Sequence, residues 1–256
     1  MGLLSIRNLT VSYGKKSIIR DLSCEFPDCG TIYLLGRNGI GKSTLLKCIL
    51  GFLTPSAGDI MYQNRRLHDL NRREIARVMS YVPQVFVSNL EYRVFDMVLM
   101  GTTAMLHPLA LPRIADQERV SEILSSLGIL HLQNCYFSRI SGGEQRLTLI
   151  ARALMTNCRV IIMDEPCSNL DFANQWMIQS RIQTLAAQGY LIIQSSHDPN
   201  HILRFGDSVL VFQEGFQYSY GDPKQLLTQT CLEDLYQVGI QRIELDGHLY
   251  IIGGQG

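Results

Sequence analysis

The chain has 256 residues, 46% of them hydrophobic, with 21 glycines and 8 prolines; this is enough apolar content for a sizeable core and too little Gly and Pro for a long low-complexity tract. Its 23 Lys and Arg balance 23 Asp and Glu, so the basic surplus of proteins that hold nucleic acid by charge is missing, and no nucleic-acid partner is expected. No run of about 18 apolar residues is present to span a membrane, the N-terminus does not read as a secretory signal, and seven scattered cysteines without a C-x-x-C pair point to reduced thiols rather than disulfides or zinc.

In chain order, residues 3–13 read as a strand before a turn at Gly14, in an N-terminal antiparallel β region. Residues 31–35 form a buried strand that ends in a glycine-rich loop, and a helix starts near Lys42. From 94 to 155 helical spacing dominates, as in 115–127 and 144–155, with no buried strand. Apolar strands resume at 159–163, 190–194 and 208–213. The expected architecture is α/β with a largely parallel sheet. Its core comprises 1–85 and 157–230, a helical subdomain of 86–156 is inserted between them, and 231–256 form a short β appendage after a main domain of 1–230.

The strongest local signal is Gly36-Arg37-Asn38-Gly39-Ile40-Gly41-Lys42-Ser43-Thr44, which matches G-x-x-x-x-G-K-[ST] between a strand and a helix. Its glycines let backbone N–H groups turn inward, and a helix N-terminus adds its positive end. Lys42 is placed to reach β- and γ-phosphates and the Ser43 hydroxyl to ligate Mg²⁺. The fold class is therefore a P-loop NTPase with a RecA-like core.

Strand 159–163 runs into Asp164-Glu165-Pro166. Two adjacent acids at the carboxyl end of a buried strand are costly unless they meet a cation or water, and ligands bind at that edge of open α/β sheets. Asp164 is placed for Mg²⁺ and Glu165 to orient or deprotonate a water. His197 falls after the next strand, at the same edge, and is equally readable as a phosphate-sensing group or a structural histidine. His201 lies four residues on, but Pro199 argues against a regular helix there, and zinc is discounted. Tyr13 reads either as a purine-stacking ring or as an ordinary strand-end aromatic. Ser141-Gly142-Gly143-Glu144 opens the helix that runs to about Met155. It is a second anion cradle by its glycines and an ordinary capping box by its Ser and Glu, and the two readings do not exclude each other.

The set and order of these motifs resemble the ATP-binding subunits of ABC transporters, from about Leu3 to about Thr228. The resemblance implies that Tyr13 stacks on adenine and that 36–44 is the Walker A loop. It makes Gln84 a link between metal and helical subdomain, and Ser141, Gly142, Gly143 and Glu144 a signature that meets nucleotide bound to a partner. Asp164 and Glu165 become the Walker B acids, with Glu165 catalytic together with Lys42 and His197, while Asp171 closes the D-loop and Ser43, Gln84 and Asp164 surround Mg²⁺.

The same resemblance implies ATP and Mg²⁺ as ligands, a head-to-tail dimer with a second ATP-binding subunit, integral-membrane permease subunits and, indirectly, a substrate-binding protein. The chain is then peripheral, on the cytoplasmic face of the cell membrane, in prokaryotes the inner membrane. Residues 94–101, 170–175 and 221–223 with 227–228 are similar to segments of importers of iron–siderophore, haem, cobalamin and related metal-oxyanion cargo. An exporter ATPase, a soluble non-transport ABC ATPase and a nucleotide kinase are the competing readings. Ile140, Glu144, Gln145-Arg146, Cys167 and Asn169 depart from the commonest residues of the family at their positions.

Overall fold

The computed structural model describes residues 2–86, 91–107 and 110–254. Its main sheet has six strands. In spatial order they are β10 (Gln217–Gly221), β9 (Ser208–Gln213), β3 (Gly30–Leu35), β8 (Leu191–Ser196), β7 (Val160–Met163) and β6 (Met79–Val82). All but β10 run parallel. Both faces of this sheet are covered, so the central strands read as unbroken apolar runs: every residue of β7 is buried, as is β3 after Gly30. A second, antiparallel sheet has the order β2 (Lys16–Phe26), β1 (Leu4–Tyr13), β4 (Ala57–Tyr62) and β5 (Arg65–Arg66). It alternates buried and exposed positions because only one of its faces meets the core.

Helix α1 (Lys42–Ile49) lies between the two sheets, where Leu45, Leu46 and Ile49 share a core with Leu9, Ile19, Ile32 and Ile162. Helix α2 (Arg72–Val78), capped by Asn71, leads into β6. The opposite face carries α3 (Val94–Leu99), α4 (Ile114–Ser126), α5 (Gly142–Leu154) and α6 (Phe172–Ala187), packed over β7 and β8 through Met97, Leu124, Ile150, Ile161 and Ile182. No strand lies between 91 and 156 among the described residues.

Two expectations need correction. Pro199 does not prevent a helix. It occupies the first turn of α7 (Pro199–Phe205), where its missing N–H is harmless, and Asp198 caps that turn by accepting from Asn200 and His201. His201 is therefore helical and His197 precedes the helix. The C-terminal segment is also not β throughout. After the short α8 (Pro223–Leu226) comes α9 (Gln229–Tyr236), whose Leu232 and Leu235 are buried one turn apart and whose N-terminus Thr228 caps. Only β11 (Ile240–Leu245) and β12 (His248–Gly253) form a hairpin. Two buried positions at helical spacing outweigh the β-branched residues that follow.

Candidate active site

The ends of four parallel strands meet at one edge, and their register decides which residues face each other. Val82, Met163, Gln194 and Tyr33 lie in one row across β6, β7, β8 and β3. The residues just beyond this row form the site.

After β3 the loop 36–41 turns into α1. Gly36 is buried while Arg37, Asn38 and Gly39 are exposed. Gly41 at the N-cap has φ 124°, a backbone conformation that a side chain would strain, and a Cβ there would also press on Ile18 at 3.1 Å. No side chain caps α1, so its first N–H groups face the loop they share with the glycines, an arrangement suited to an anion. Lys42 is only 6% exposed. Its Nζ donates to Gly36 O at 2.6 Å and to Arg37 O at 3.1 Å. Burial pulls this ammonium below the usual lysine range, opposed by the charges of Glu165 and Asp164. The Arg37 guanidinium turns away to Glu214 at 2.8 Å.

After β7 come the two acids. Asp164 N donates to Val82 O at 3.0 Å, which seats the turn on β6. Asp164 Oδ1 accepts from Ser195 Oγ at 2.6 Å and from Ser43 Oγ at 3.3 Å. Glu165 has φ 42°, a left-handed conformation uncommon outside glycine and typical of constrained functional positions. Its amide donates to Ser195 Oγ at 2.9 Å, and its Oε2 accepts from Gln84 Nε2 at 2.9 Å. His197 Nδ1 lies 3.9 Å from the same Oε2. The site thus unites Lys42, Ser43, Gln84, Asp164, Glu165 and His197. The available donors around Asp164 are hydroxyl, carboxylate and amide oxygens, a hard set that fits Mg²⁺ and not a soft metal.

Ser141, Gly142, Gly143 and Glu144 stand elsewhere. Ser141 caps α5 with the reciprocal box: Glu144 N donates to Ser141 Oγ at 3.4 Å, and Ser141 N to Glu144 Oε2 at 2.8 Å. Gly143 is pressed against α6, where a Cβ would come within 2.4 Å of Asn174 Oδ1. Asn174 is in turn tied to Asp171 by two bonds, N to Oδ1 at 2.8 Å and Nδ2 to Oδ2 at 2.9 Å. No hydrogen bond among the described residues joins 141–144 to 36–44. Tyr13 ends β1 at the hairpin with Lys16 and is 49% exposed. Asn169 is exposed with φ 60°, which Asn tolerates better than most residues.

Sequence reasoning misses Ser195, Asn174 and Arg146. Ser195 directly follows the predicted strand 190–194, so its place at the edge is readable; its partner is not. Arg146 stands out in the sequence only as a departure from the usual residue order.

The ABC transporter family model matches residues 19–168. The molybdate import ATP-binding protein MolC of Haemophilus influenzae is 32% identical, over 92% of this chain and 88% of its own length. A probable iron chelatin transport ATP-binding protein of Helicobacter pylori is 30% identical, over 97% of this chain and 98% of its own. Among solved structures, a metal-chelate type ABC transporter in an inward-facing conformation superposes with a TM-score of 0.87 at 28% identity, covering 100% of this chain and 98% of that one. The chain belongs to the ABC transporter family, as an ATP-binding, ATP-hydrolysing subunit.

Proposed function

We propose that this subunit hydrolyses ATP between two copies of itself and so drives import of a metal chelate through a separate permease. The observation that carries the reading is the convergence on Glu165: a carboxylate held 2.9 Å from the Gln84 amide and 3.9 Å from His197, beside an Asp164 bonded to the Ser43 hydroxyl of the phosphate loop.

In this reading the loop 36–44 wraps the phosphates with its N–H groups, and Lys42 exchanges its two loop carbonyls for β- and γ-phosphate oxygens. Tyr13 offers an exposed ring to adenine. Ser43, Asp164 and Gln84 would hold Mg²⁺, which when bound neutralises charge that develops between the phosphates. Glu165 orients the attacking water and takes its proton, and His197 contacts the γ-phosphate.

The loop 36–44 and the turn 141–144 are two anion cradles with no hydrogen bond between them among the described residues. A head-to-tail pair brings Ser141, Gly142, Gly143 and Glu144 of one copy to the nucleotide on the other, with Asp171 beside them. Closure then excludes bulk water from the reacting phosphate.

Members of this family work with membrane permease partners, and no described helix is long and apolar enough to cross a membrane. We assign the permease contact to a cleft of about 340 Å³ between core and helical face, lined by Phe52, Ile75, Tyr81, Met100 and Arg152 among others. Phe52 there is 59% exposed. The chain is then peripheral, on the cytoplasmic face of the membrane, and a substrate-binding protein delivers cargo to the permease. The division into a core of 1–85 and 157–230 with 86–156 as a moving helical unit belongs to the same proposal. The metal-chelate cargo rests on the iron chelatin relative and the metal-chelate transporter structure.

The test is turnover and gel filtration of Glu165→Gln. This chain is expected to bind Mg-ATP, to hydrolyse it at least about a hundredfold more slowly, and to elute as a dimer. A monomer with wild-type turnover contradicts the assignment of Glu165. Ser141→Arg is expected to stop hydrolysis while the same chain still binds ATP; equal loss of binding contradicts the two-copy site.

A further inference from the structure

The guanidinium of Arg146 lies one turn inside α5 and is 8% exposed. Its two terminal nitrogens donate to successive backbone carbonyls across the sheet edge, Nη1 to Pro83 O at 2.6 Å and Nη2 to Gln84 O at 2.9 Å. Among the described residues no carboxylate forms an ion pair with it. A buried cation satisfied by carbonyls alone carries a desolvation cost that a plain packing position does not need. The planar fork explains the choice of residue, because a lysine presents a single point of donation and cannot hold two adjacent carbonyls in a fixed geometry.

The carbonyls it holds are those that set the direction of Gln84. Residues 83 and 84 are where the chain leaves β6, directly over the turn that carries the two acids, as the Asp164 N to Val82 O bond shows. Gln84 then reaches Glu165 at 2.9 Å. On the other side, Ser141 caps the first turn of α5, and Arg146 stands at the start of the next turn.

We propose that Arg146 is a positioning residue for hydrolysis: it fastens the Gln84 backbone to α5 one turn beyond the Ser141 cap, so that the placement of the Gln84 amide on Glu165 follows the position of the Ser141 turn. This rests on the reading that Glu165 activates water and that Ser141 meets nucleotide on a second copy. A rigid helical turn and a two-pronged clamp link the two, so engagement of Ser141 by nucleotide biases the geometry at Glu165 in the same chain. Arg146 touches neither nucleotide nor metal in this scheme and acts only through Gln84.

A double-mutant cycle on the full-length chain tests it: wild type, Arg146→Gln, Gln84→Ala and the double variant, each measured for turnover, KM and affinity for a fluorescent ATP analogue. Arg146→Gln is expected to lower kcat about tenfold, the usual size for loss of a group that orients a liganding side chain, with KM and analogue affinity within about twofold of wild type. In the Gln84→Ala background the same change is expected to lower kcat by no more than about twofold. Independent of activity, hydrogen exchange of residues 84–86 in Arg146→Gln is expected to speed up at least about fivefold, with α5 protection unchanged.

Arg146→Lys, which keeps charge and bulk, guards against a chain that fails to fold; it is expected to fold and to show a smaller loss of kcat. Losses in Arg146→Gln and Gln84→Ala that simply multiply in the double variant overturn the proposal. So does a wild-type kcat in Arg146→Gln, or a fall confined to KM and thermal stability. Wild-type turnover in Glu165→Gln overturns the active-site reading instead, so the two failures are told apart.

Discussion

The Ser195 hydroxyl donates to Asp164 Oδ1 at 2.6 Å and accepts from the Glu165 amide at 2.9 Å, so one side chain from β8 holds both neighbouring acids at the end of β7. Strand register puts it there, because Met163 pairs with Gln194 and the next residues on each strand must face each other. Ser195→Ala is expected to leave the Glu165 N–H without a partner in a half-buried turn and to destabilise the chain by about 1 kcal/mol. It is also expected to weaken the apparent Mg²⁺ dependence of turnover about tenfold. Thermal unfolding and a Mg²⁺ titration of ATPase activity check both. An unchanged Mg²⁺ dependence removes Ser195 from the site.

Lys42 makes its two hydrogen bonds to carbonyls of its own loop, and in the proposed function a phosphate takes their place on the same ammonium. Charge-assisted bonds contribute about 1.5–3 kcal/mol each. Lys42→Ala is therefore expected to weaken ATP binding at least about tenfold without loss of helical circular dichroism. Titration with a fluorescent nucleotide measures it, and wild-type affinity refutes the assignment of the loop.

Gly143 has no room for a methyl group against Asn174, which holds Asp171. Gly143→Ala is expected to cost about 1–3 kcal/mol by overpacking and to slow turnover by displacing both Asp171 and the Ser141 turn. Nucleotide affinity of the single chain is expected to stay at the wild-type value, since 36–44 is untouched. Parallel affinity and kcat measurements separate these effects; a joint loss points to general unfolding.

Burial pushes the Cys48 thiol up to about 12 and that of Cys167 to about 11, from 9.0. Both stay protonated and shielded at neutral pH, whereas Cys29 and Cys135 are exposed. Iodoacetamide is expected to modify Cys29 and Cys135 in the native chain and to spare the other two; mass spectrometry reads the sites. Above pH 9 the unfolded chain sheds these thiol protons while the folded chain keeps them to about 11 or beyond, so the unfolded state binds fewer protons and stability falls as pH rises. Urea midpoints at pH 8 and pH 10 are expected to drop in that order, and a higher midpoint at pH 10 contradicts the burial of these thiols.

Local pattern carries far in this chain. Strands β3, β7 and β8 are legible because both of their faces are buried, which leaves each as a short unbroken apolar run between turn residues. The glycine loop 36–44 is legible because its spacing needs glycine at fixed positions. Helix α7 is hidden because a proline counts against a helix interior but favours a first turn, and only the Asp198 cap shows which applies. Strand β6 is equally hidden, since four residues that follow a short helix offer no period to read.

The amino-acid order alone determined which chemical groups the molecule owns: a glycine loop with Lys42, adjacent acids after a strand, a capped Ser141 helix, and a histidine after the next strand. Only the tertiary structure decided which of them act on one another. Ser195 meets Asp164, Gln84 meets Glu165 and Arg146 holds the Gln84 backbone because parallel register and packing bring together residues 31, 81 and 62 positions apart in sequence. Periodicity along a chain reports which face is buried, and it holds no information about which distant strand lies beside it.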